Sequence, residues 1–220
     1  MSKTSTDPVR HALNGPTMGT RWSALFHADA GLDPLPVQAA LQTAVAEVDA
    51  AMSTWKPDSD LMRLNRAPEG VWMAVPDGLA EVLDLGLRIG KESGGAFDIG
   101  MGDAARAWGF GPEPASAGAI RSAMAAARRP AHEALEIDPA AGLARKRAPI
   151  ALDLNGIAKG YGVDRLAGTL QGFGITAFLV GIDGEMRASG LRPDGMPWTV
   201  AVEMPDPERR APHSILKLAG

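Results

Sequence analysis

The sequence predicts an α+β fold, with mixed, largely antiparallel sheets and packed helices. Two observations carry that expectation. One strand-like alternation is followed by three helical stretches before the next strand-like run, and the short runs after them are spaced to pair as a hairpin. Repeated βαβ units would alternate strand and helix regularly, and this chain does not.

Trp22, Ala24 and Phe26 alternate with Arg21, Ser23 and Leu25, so a first strand is expected here, entered through Met18-Gly-Thr20. After the break at Pro34 and Pro36, Val37, Leu41, Ala44, Val45, Val48 and Met52 fall on one helical face. A second helix is expected from Asp77 to Glu92, with Leu79, Val82, Leu83 and Leu87 inward and Gly94-Gly95 as its stop. A short third helix carries Ile120 and Met124. The stretches 133–137 and 142–146 read as a hairpin around Asp138-Pro-Ala-Ala, with Arg145-Lys146-Arg147 at its exposed end. Pro149-Ile-Ala-Leu152 reads as a short buried strand, and Val163, Leu166, Ala167 and Leu170 recur at helical spacing after it. The apolar strand Ala177-Phe-Leu-Val180, a glycine-rich turn and the strand Trp198-Thr-Val-Ala-Val202 follow.

A chain of 220 residues with 45% hydrophobic residues can bury a full core in one domain, or in one domain with a lobe. Its formal net charge of -4 gives no electrostatic footprint for nucleic acid. The absence of cysteine excludes disulfides, thiolate metal sites, a cysteine nucleophile and a lipid-modified cysteine. The first residues, Met1-Ser-Lys-Thr-Ser-Thr-Asp-Pro8, lack the apolar stretch of a signal peptide, and no run approaches a transmembrane span.

The stretch richest in chemistry is Asp153-Leu-Asn-Gly-Ile-Ala-Lys-Gly-Tyr-Gly-Val-Asp164, where a strand is expected to turn into a helix through Asn155 and Gly156. A helix start binds anions, because its first N–H groups lack internal partners and the dipole adds roughly 0.3 to 1 kcal/mol. Lys159 adds a positive charge in that first turn, and Asp153 faces the same space. The alternative is an ordinary connection whose Lys159 points into solvent. No G-x-x-x-x-G-K-[ST] is present, so this is not a P-loop.

Three loops stand beside these elements. In Met52-Ser-Thr-Trp-Lys-Pro-Asp-Ser-Asp60, Trp55 either covers the end of the core or stands exposed, where its indole can stack on a planar ring. Such stacking is worth about 1 to 3 kcal/mol per base. Gly94-Gly-Ala-Phe-Asp-Ile-Gly-Met-Gly102 and Ala107-Trp-Gly-Phe-Gly-Pro112 are dense in glycine, which allows close backbone approach to a ligand but is as common in plain turns. The acids of Gly181-Ile-Asp-Gly-Glu-Met-Arg-Ala-Ser-Gly190 either face a metal or form a hairpin tip.

Taken in order, Met18-Gly-Thr20, Met52-Ser-Thr-Trp-Lys-Pro-Asp-Ser, Gly95-Ala-Phe-Asp98, Trp108-Gly-Phe-Gly-Pro112, Asp153-Leu-Asn-Gly-Ile-Ala-Lys-Gly-Tyr161 and the Gly181 loop closely resemble the FAD:protein FMN transferase family, also called ApbE or flavin transferase. The resemblance covers residues 17–220 and implies an ApbE-like domain there, preceded by an N-terminal tail over residues 1–16.

That resemblance implies a magnesium-dependent enzyme that splits FAD between its phosphates, transfers FMN to a Ser or Thr hydroxyl of an acceptor protein and releases AMP. In such phosphoryl transfer, positioning and charge neutralisation do most of the catalytic work. It assigns Met18, Trp55, Ala96, Phe97, Asp98, Asp153 and Lys159 as FAD contacts, with Lys159 beside the phosphates. Gly156 matches the position whose carbonyl helps coordinate Mg²⁺. Asn155 departs from the family, where many members carry glycine. No catalytic side chain is assigned.

In the family, the segment aligned with Ile215-Leu-Lys-Leu-Ala-Gly220 continues into an A-T-S-G-type motif, a His-rich motif followed by D-P, and a late Asp and Thr that complete the magnesium site. Residues 1–220 do not contain these, so the expectation is a C-terminally truncated member ending in an unpaired apolar edge. His213 lies before that segment and does not replace its histidines. Family members are often exported and lipid-anchored, whereas this sequence shows neither leader nor lipid-acceptor cysteine. Three readings therefore stand: an FMN transferase, an FAD pyrophosphatase giving FMN and AMP, and an FAD-binding domain without catalysis.

Overall fold

The computed structural model describes residues 8–206 and 211–218. The first elements are β1 (Val9–Thr17), β2 (Thr20–Ala28), α1 (Pro34–Met52), α2 (Asp60–Arg66), β3 (Met73–Ala74) and α3 (Asp77–Glu92). They are followed by α4 (Gly102–Ala107), α5 (Ala117–Ala125), α6 (Ala131–Ala134), β4 (Leu135–Asp138) and β5 (Leu143–Lys146). The last are α7 (Ala158–Gly172), β6 (Phe178–Ile182), β7 (Glu185–Ser189), β8 (Trp198–Glu203) and β9 (Pro212–Leu218). Every named strand pair is antiparallel. The chain forms two compact units, Met1–Val45 with Gly162–Gly220, and Ala46–Tyr161, the divisions falling inside α1 and α7.

The first unit holds a four-stranded sheet in the order β1-β2-β6-β7. Alternation places Trp22, Ala24 and Phe26 on one face of β2, beside Phe178, Val180 and Ile182 of β6. That face is covered by Val37, Leu41 and Val45 of α1 and by Val163, Leu166, Ala167 and Leu170 of α7. Trp22, Phe26 and Phe178 are 0% exposed, each contributing about 1.5–3 kcal/mol by burial. The Trp22 indole N–H donates to Gln42 Oε1 at 2.9 Å, and Gln42 Nε2 donates to the Pro16 carbonyl at 3.0 Å, so the buried indole N–H is satisfied.

The stretch 1–16 contains most of β1, where a tail was expected. Asn14, Gly15 and Pro16 hide its strand character in the sequence, yet among the described residues β1 is the edge strand beside β2, and an edge strand accepts proline. The Gly181 loop is a hairpin: Ile182 pairs with Glu185 around Asp183-Gly184, and Asp183 has φ 56°, as a tight hairpin turn requires. β8 and β9 form a separate two-stranded sheet.

The second unit holds the sheet β3-β5-β4 with α2 to α6. Leu79, Val82 and Leu83 of α3 are buried as expected, and the helix stops where Gly94 and Gly95, at φ 62° and 87°, donate to Lys91 and Gly90. This double bond pattern satisfies the last carbonyls and needs left-handed residues. The hairpin expected over 133–146 forms, but its basic run is not an exposed end. Lys146 is only 7% exposed and donates from Nζ to the Asn65 carbonyl at 2.6 Å. Arg145 lies over the Trp72 ring and pairs with Glu136, as does the exposed Arg147.

No regular strand forms over Pro149–Leu152; Ala151 makes a single parallel bridge to Met101. The physical reason is local, since the main-chain groups of Leu152 are taken by a side chain, that of Asn65. The helix with Ile120 and Met124 is α5, which buries no residue. α2, α4 and α6, too short for periodicity to reveal, were not expected. Among the described residues no helix is long and apolar enough to cross a membrane.

Candidate flavin-binding site

Leu152 and Leu154, 1% and 0% exposed, anchor the chain on both sides of Asp153. Asp153 Oδ1 accepts the Asn155 main-chain N–H at 2.8 Å, and Oδ2 accepts Asn155 Nδ2 at 3.0 Å. The Leu154 carbonyl accepts from Ile157 and Ala158 at 3.0 and 2.8 Å, and α7 begins. The turn at Asn155 and Gly156 is therefore as expected, with both residues exposed and Lys159 half-buried in the first helical turn. Burial pushes the Asp153 carboxyl above the usual carboxylate range, against the pull of the two Asn155 hydrogen bonds.

The loop after α3 comes to this junction. The Phe97 N–H donates to Ser93 Oγ at 3.2 Å, which holds Phe97 half-buried beside the exposed Ala96. The Asp98 carboxylate shapes its own loop: Oδ1 accepts the Gly100 N–H at 2.7 Å, and both oxygens face the Ala131 N–H at 3.3 and 3.2 Å. The next carbonyl, of Ile99, accepts the Asp153 N–H at 2.9 Å. Gly102 donates to the Ala151 carbonyl at 2.9 Å, an approach so close that a Cβ there would stand 2.8 Å from the Leu152 oxygen. A Cβ on Gly156 would stand 3.2 Å from Cε2 of Phe97. The second unit thus brings Phe97, Asp98, Asp153 and Gly156 together, with Lys159 on the same junction.

The hydroxyls around Trp55 build its loop. Trp55 N–H donates to Ser53 Oγ at 3.2 Å, while Ser59 Oγ donates to the Ser53 carbonyl at 2.7 Å and caps α2 by accepting from Met62. Lys56 pairs with Asp49 at 2.6 Å and Arg66 donates to the Pro57 carbonyl at 2.6 Å. Trp55 is 59% exposed, so of the two sequence readings the exposed one holds. Trp108 and Phe110 are exposed as well.

Met18 belongs to the first unit, in the two-residue turn between β1 and β2. Its φ of 45° is left-handed, a region that side-chain-bearing residues avoid unless held there. Its Cε lies 3.3 Å from where a Gly162 Cβ would be, so the thioether folds towards α7.

Asn65 was not singled out in the sequence. The available signal is an amide, a poor helix former, directly after Leu61-Met-Arg-Leu64.

Magnesium takes six oxygens in a tight octahedron. Among the described residues no group of three or more His, Asp or Glu is placed to hold a metal ion, and both Asp153 oxygens are engaged by Asn155. The side chains present therefore do not fit a resident Mg²⁺ by themselves.

The chain is 32% identical over 216 residues to the FAD:protein FMN transferase of Klebsiella pneumoniae, covering 94% of this chain and 61% of that protein. It is 33% identical over 207 residues to the FAD:protein FMN transferase of Vibrio cholerae, covering 93% and 62%. It therefore spans about three fifths of the length of these curated relatives. The structure matches the flavin transferase ApbE from Vibrio cholerae with a TM-score of 0.84 and 32% identity, covering 96% of this chain and 69% of that one. It matches the apo flavinyl transferase ApbE of Pseudomonas stutzeri with a TM-score of 0.80 and 30% identity, covering 97% and 69%. The ApbE family match runs over residues 18–220, and the chain belongs to the ApbE family.

Proposed function

We propose that this chain carries the FAD-binding part of an FAD:protein FMN transferase. The observation that supports it most is the meeting of the Phe97–Asp98 loop with the Asp153–Lys159 junction through the Ile99–Asp153 hydrogen bond. In this reading the flavin ring stacks on Trp55, while Met18, Ala96 and Phe97 contact FAD directly. Asp98 acts through the loop that its carboxylate shapes. The Lys159 ammonium and the positive end of α7 face the diphosphate.

The reaction is the attack of a Ser or Thr hydroxyl of an acceptor protein on the FMN phosphorus. The anhydride bond breaks, AMP leaves with the bridging oxygen, and the hydroxyl proton passes to a base or to solvent. Positioning and neutralisation of charge at phosphorus are what these residues supply. Mg²⁺ belongs to this proposal only as a companion of the FAD diphosphate, with the Gly156 carbonyl as the protein's donor.

The test is incubation with FAD, Mg²⁺ and a peptide bearing a Ser or Thr acceptor, followed by mass measurement of the peptide. An added FMN supports transfer. AMP release without peptide modification replaces it with FAD hydrolysis, and bound FAD with neither product replaces it with a binding domain. Lys159→Ala is expected to weaken FAD binding by about tenfold, through loss of one charge-assisted contact; unchanged affinity removes Lys159 from the site.

A further inference from the structure

The side chain of Asn65 makes two hydrogen bonds with the main chain of a single residue, besides a longer contact from Nδ2 to Met62 Sδ. Its Nδ2 donates to the Leu152 carbonyl at 2.9 Å, and its Oδ1 accepts the Leu152 N–H at 2.7 Å. A carboxamide so placed does what a neighbouring strand residue does in a hydrogen-bonded pair. It therefore replaces a sheet partner at the point where the chain leaves the core towards Asp153. The main chain of Asn65 is also held, since its carbonyl accepts from the buried Lys146 at 2.6 Å.

Asn65 stands near the end of α2, and the other end of α2 is fixed to the Trp55 loop. Ser59 caps the helix and donates to the Ser53 carbonyl, and Arg66 reaches back to the Pro57 carbonyl. This seven-residue helix joins the loop that carries the exposed indole to the peptide immediately before Asp153. Leu152 is buried, so water does not compete for its two main-chain groups.

We infer that Asn65 is a positioning residue: through its clamp on Leu152, α2 holds the ring-stacking Trp55 and the phosphate-facing Asp153–Lys159 junction at a fixed separation matched to one ligand carrying both a planar ring and a diphosphate. This rests on the flavin reading above. Asn65 touches no substrate. Its effect falls on ligands that span both places and spares those that occupy one.

The variant Asn65→Asp keeps an acceptor for the Leu152 N–H and loses the donor to the Leu152 carbonyl; Asn65→Ala removes both. Each is compared with the unaltered chain by titrating FAD and, separately, riboflavin, at a temperature where circular dichroism shows both proteins folded. FAD affinity is expected to fall by about tenfold or more, while riboflavin affinity stays within about twofold. In a double-mutant cycle on FAD binding, Asn65→Asp and Lys159→Ala are expected to be non-additive, since one positions what the other contacts. Equal losses for FAD and riboflavin, or no loss for FAD in a folded variant, overturn the inference. If Asn65→Ala does not fold, Asn65→Asp decides alone; if neither folds, Asn65 is structural and the inference falls. Absence of FAD binding by the unaltered chain overturns the flavin reading instead.

Discussion

The main-chain N–H of Asp153 donates to the carbonyl of Ile99 at 2.9 Å, which joins two glycine-rich loops more than fifty positions apart in the chain. Because each loop is pinned there by backbone, the approach of Gly102 to Ala151 and Leu152 leaves no room for a side chain.

Gly102→Ala is the direct test of that close approach. Its Cβ would lie 2.8 and 2.9 Å from the Leu152 and Ala151 oxygens, both main-chain atoms that cannot swing aside. The substitution is expected to destabilise by about 1–3 kcal/mol, as overpacking does. Thermal denaturation measures it. Gly168→Ala in α7, where nothing lies within 4 Å, serves as the opposite control and is expected to stabilise by about 0.5–1 kcal/mol.

Met18 stores backbone strain in the β1–β2 turn. With φ at 45° and Gly19 at 71°, the pair suits Asn-Gly better than Met-Gly. Met18→Asn is expected to raise stability by up to about 1 kcal/mol, read as a higher melting temperature. FAD titration of the same variant is expected to show weaker binding, because the thioether is gone. A variant that is both more stable and equally avid would remove Met18 from the ligand site.

His27 gives stability an acid limit. Burial, first, and then the positive Arg10 and Arg192 hold its imidazole below the ordinary value of 6.5, with His11 acting in the same direction and Asp194 opposing. The unfolded chain then binds more protons than the folded one between the folded value and 6.5. Stability is accordingly full above that window and falls as pH drops through it. Urea midpoints between pH 8 and pH 5 are expected to decline for the unaltered chain and to decline less for His27→Gln.

Asp153 has the opposite sign. Burial raises its carboxyl above the ordinary 3.8, so the folded chain binds more protons and stability falls as pH climbs through the window between the two values. Above that window the ionised, half-buried carboxylate is a burden on the fold. Asp153→Asn keeps an oxygen for the Asn155 N–H and is expected to melt higher there, with a flatter pH profile. A lower melting temperature would show that the charge is compensated within the folded chain.

The long elements were readable because each obeys one periodicity over enough residues. α1 and β2 carry their buried residues at the expected positions, α3 does so except at the half-buried Leu87, and Gly94-Gly95 ends α3 as anticipated. β1 was missed because an edge strand tolerates Asn14, Gly15 and Pro16, which erase alternation. Lys146 was misplaced because composition assigns lysine to the surface, whereas one backbone carbonyl, that of Asn65, suffices to hold its ammonium inside. Motif order singled out Asp98, Asp153 and Lys159, and the Ile99–Asp153 hydrogen bond joins the Asp98 loop to the junction that carries the other two. The packing of Phe97 towards Gly156 depends on pairing between distant segments, and no local pattern encodes it.

The division of the chain inside α1 and α7 has a consequence for synthesis on the ribosome. The unit Ala46–Tyr161 is contiguous and is complete once Tyr161 has emerged. The other unit must wait: Trp22 and Phe26 have only Val37, Leu41 and Val45 of α1 as partners until Val163–Leu170 and Phe178–Ile182 have followed. At about 5–20 residues per second, the roughly 150 residues between Ala28 and Ile182 take about 8 to 30 seconds to synthesise. During that interval the nascent N-terminal hairpin leaves part of its aromatic face open to solvent, which favours off-pathway association.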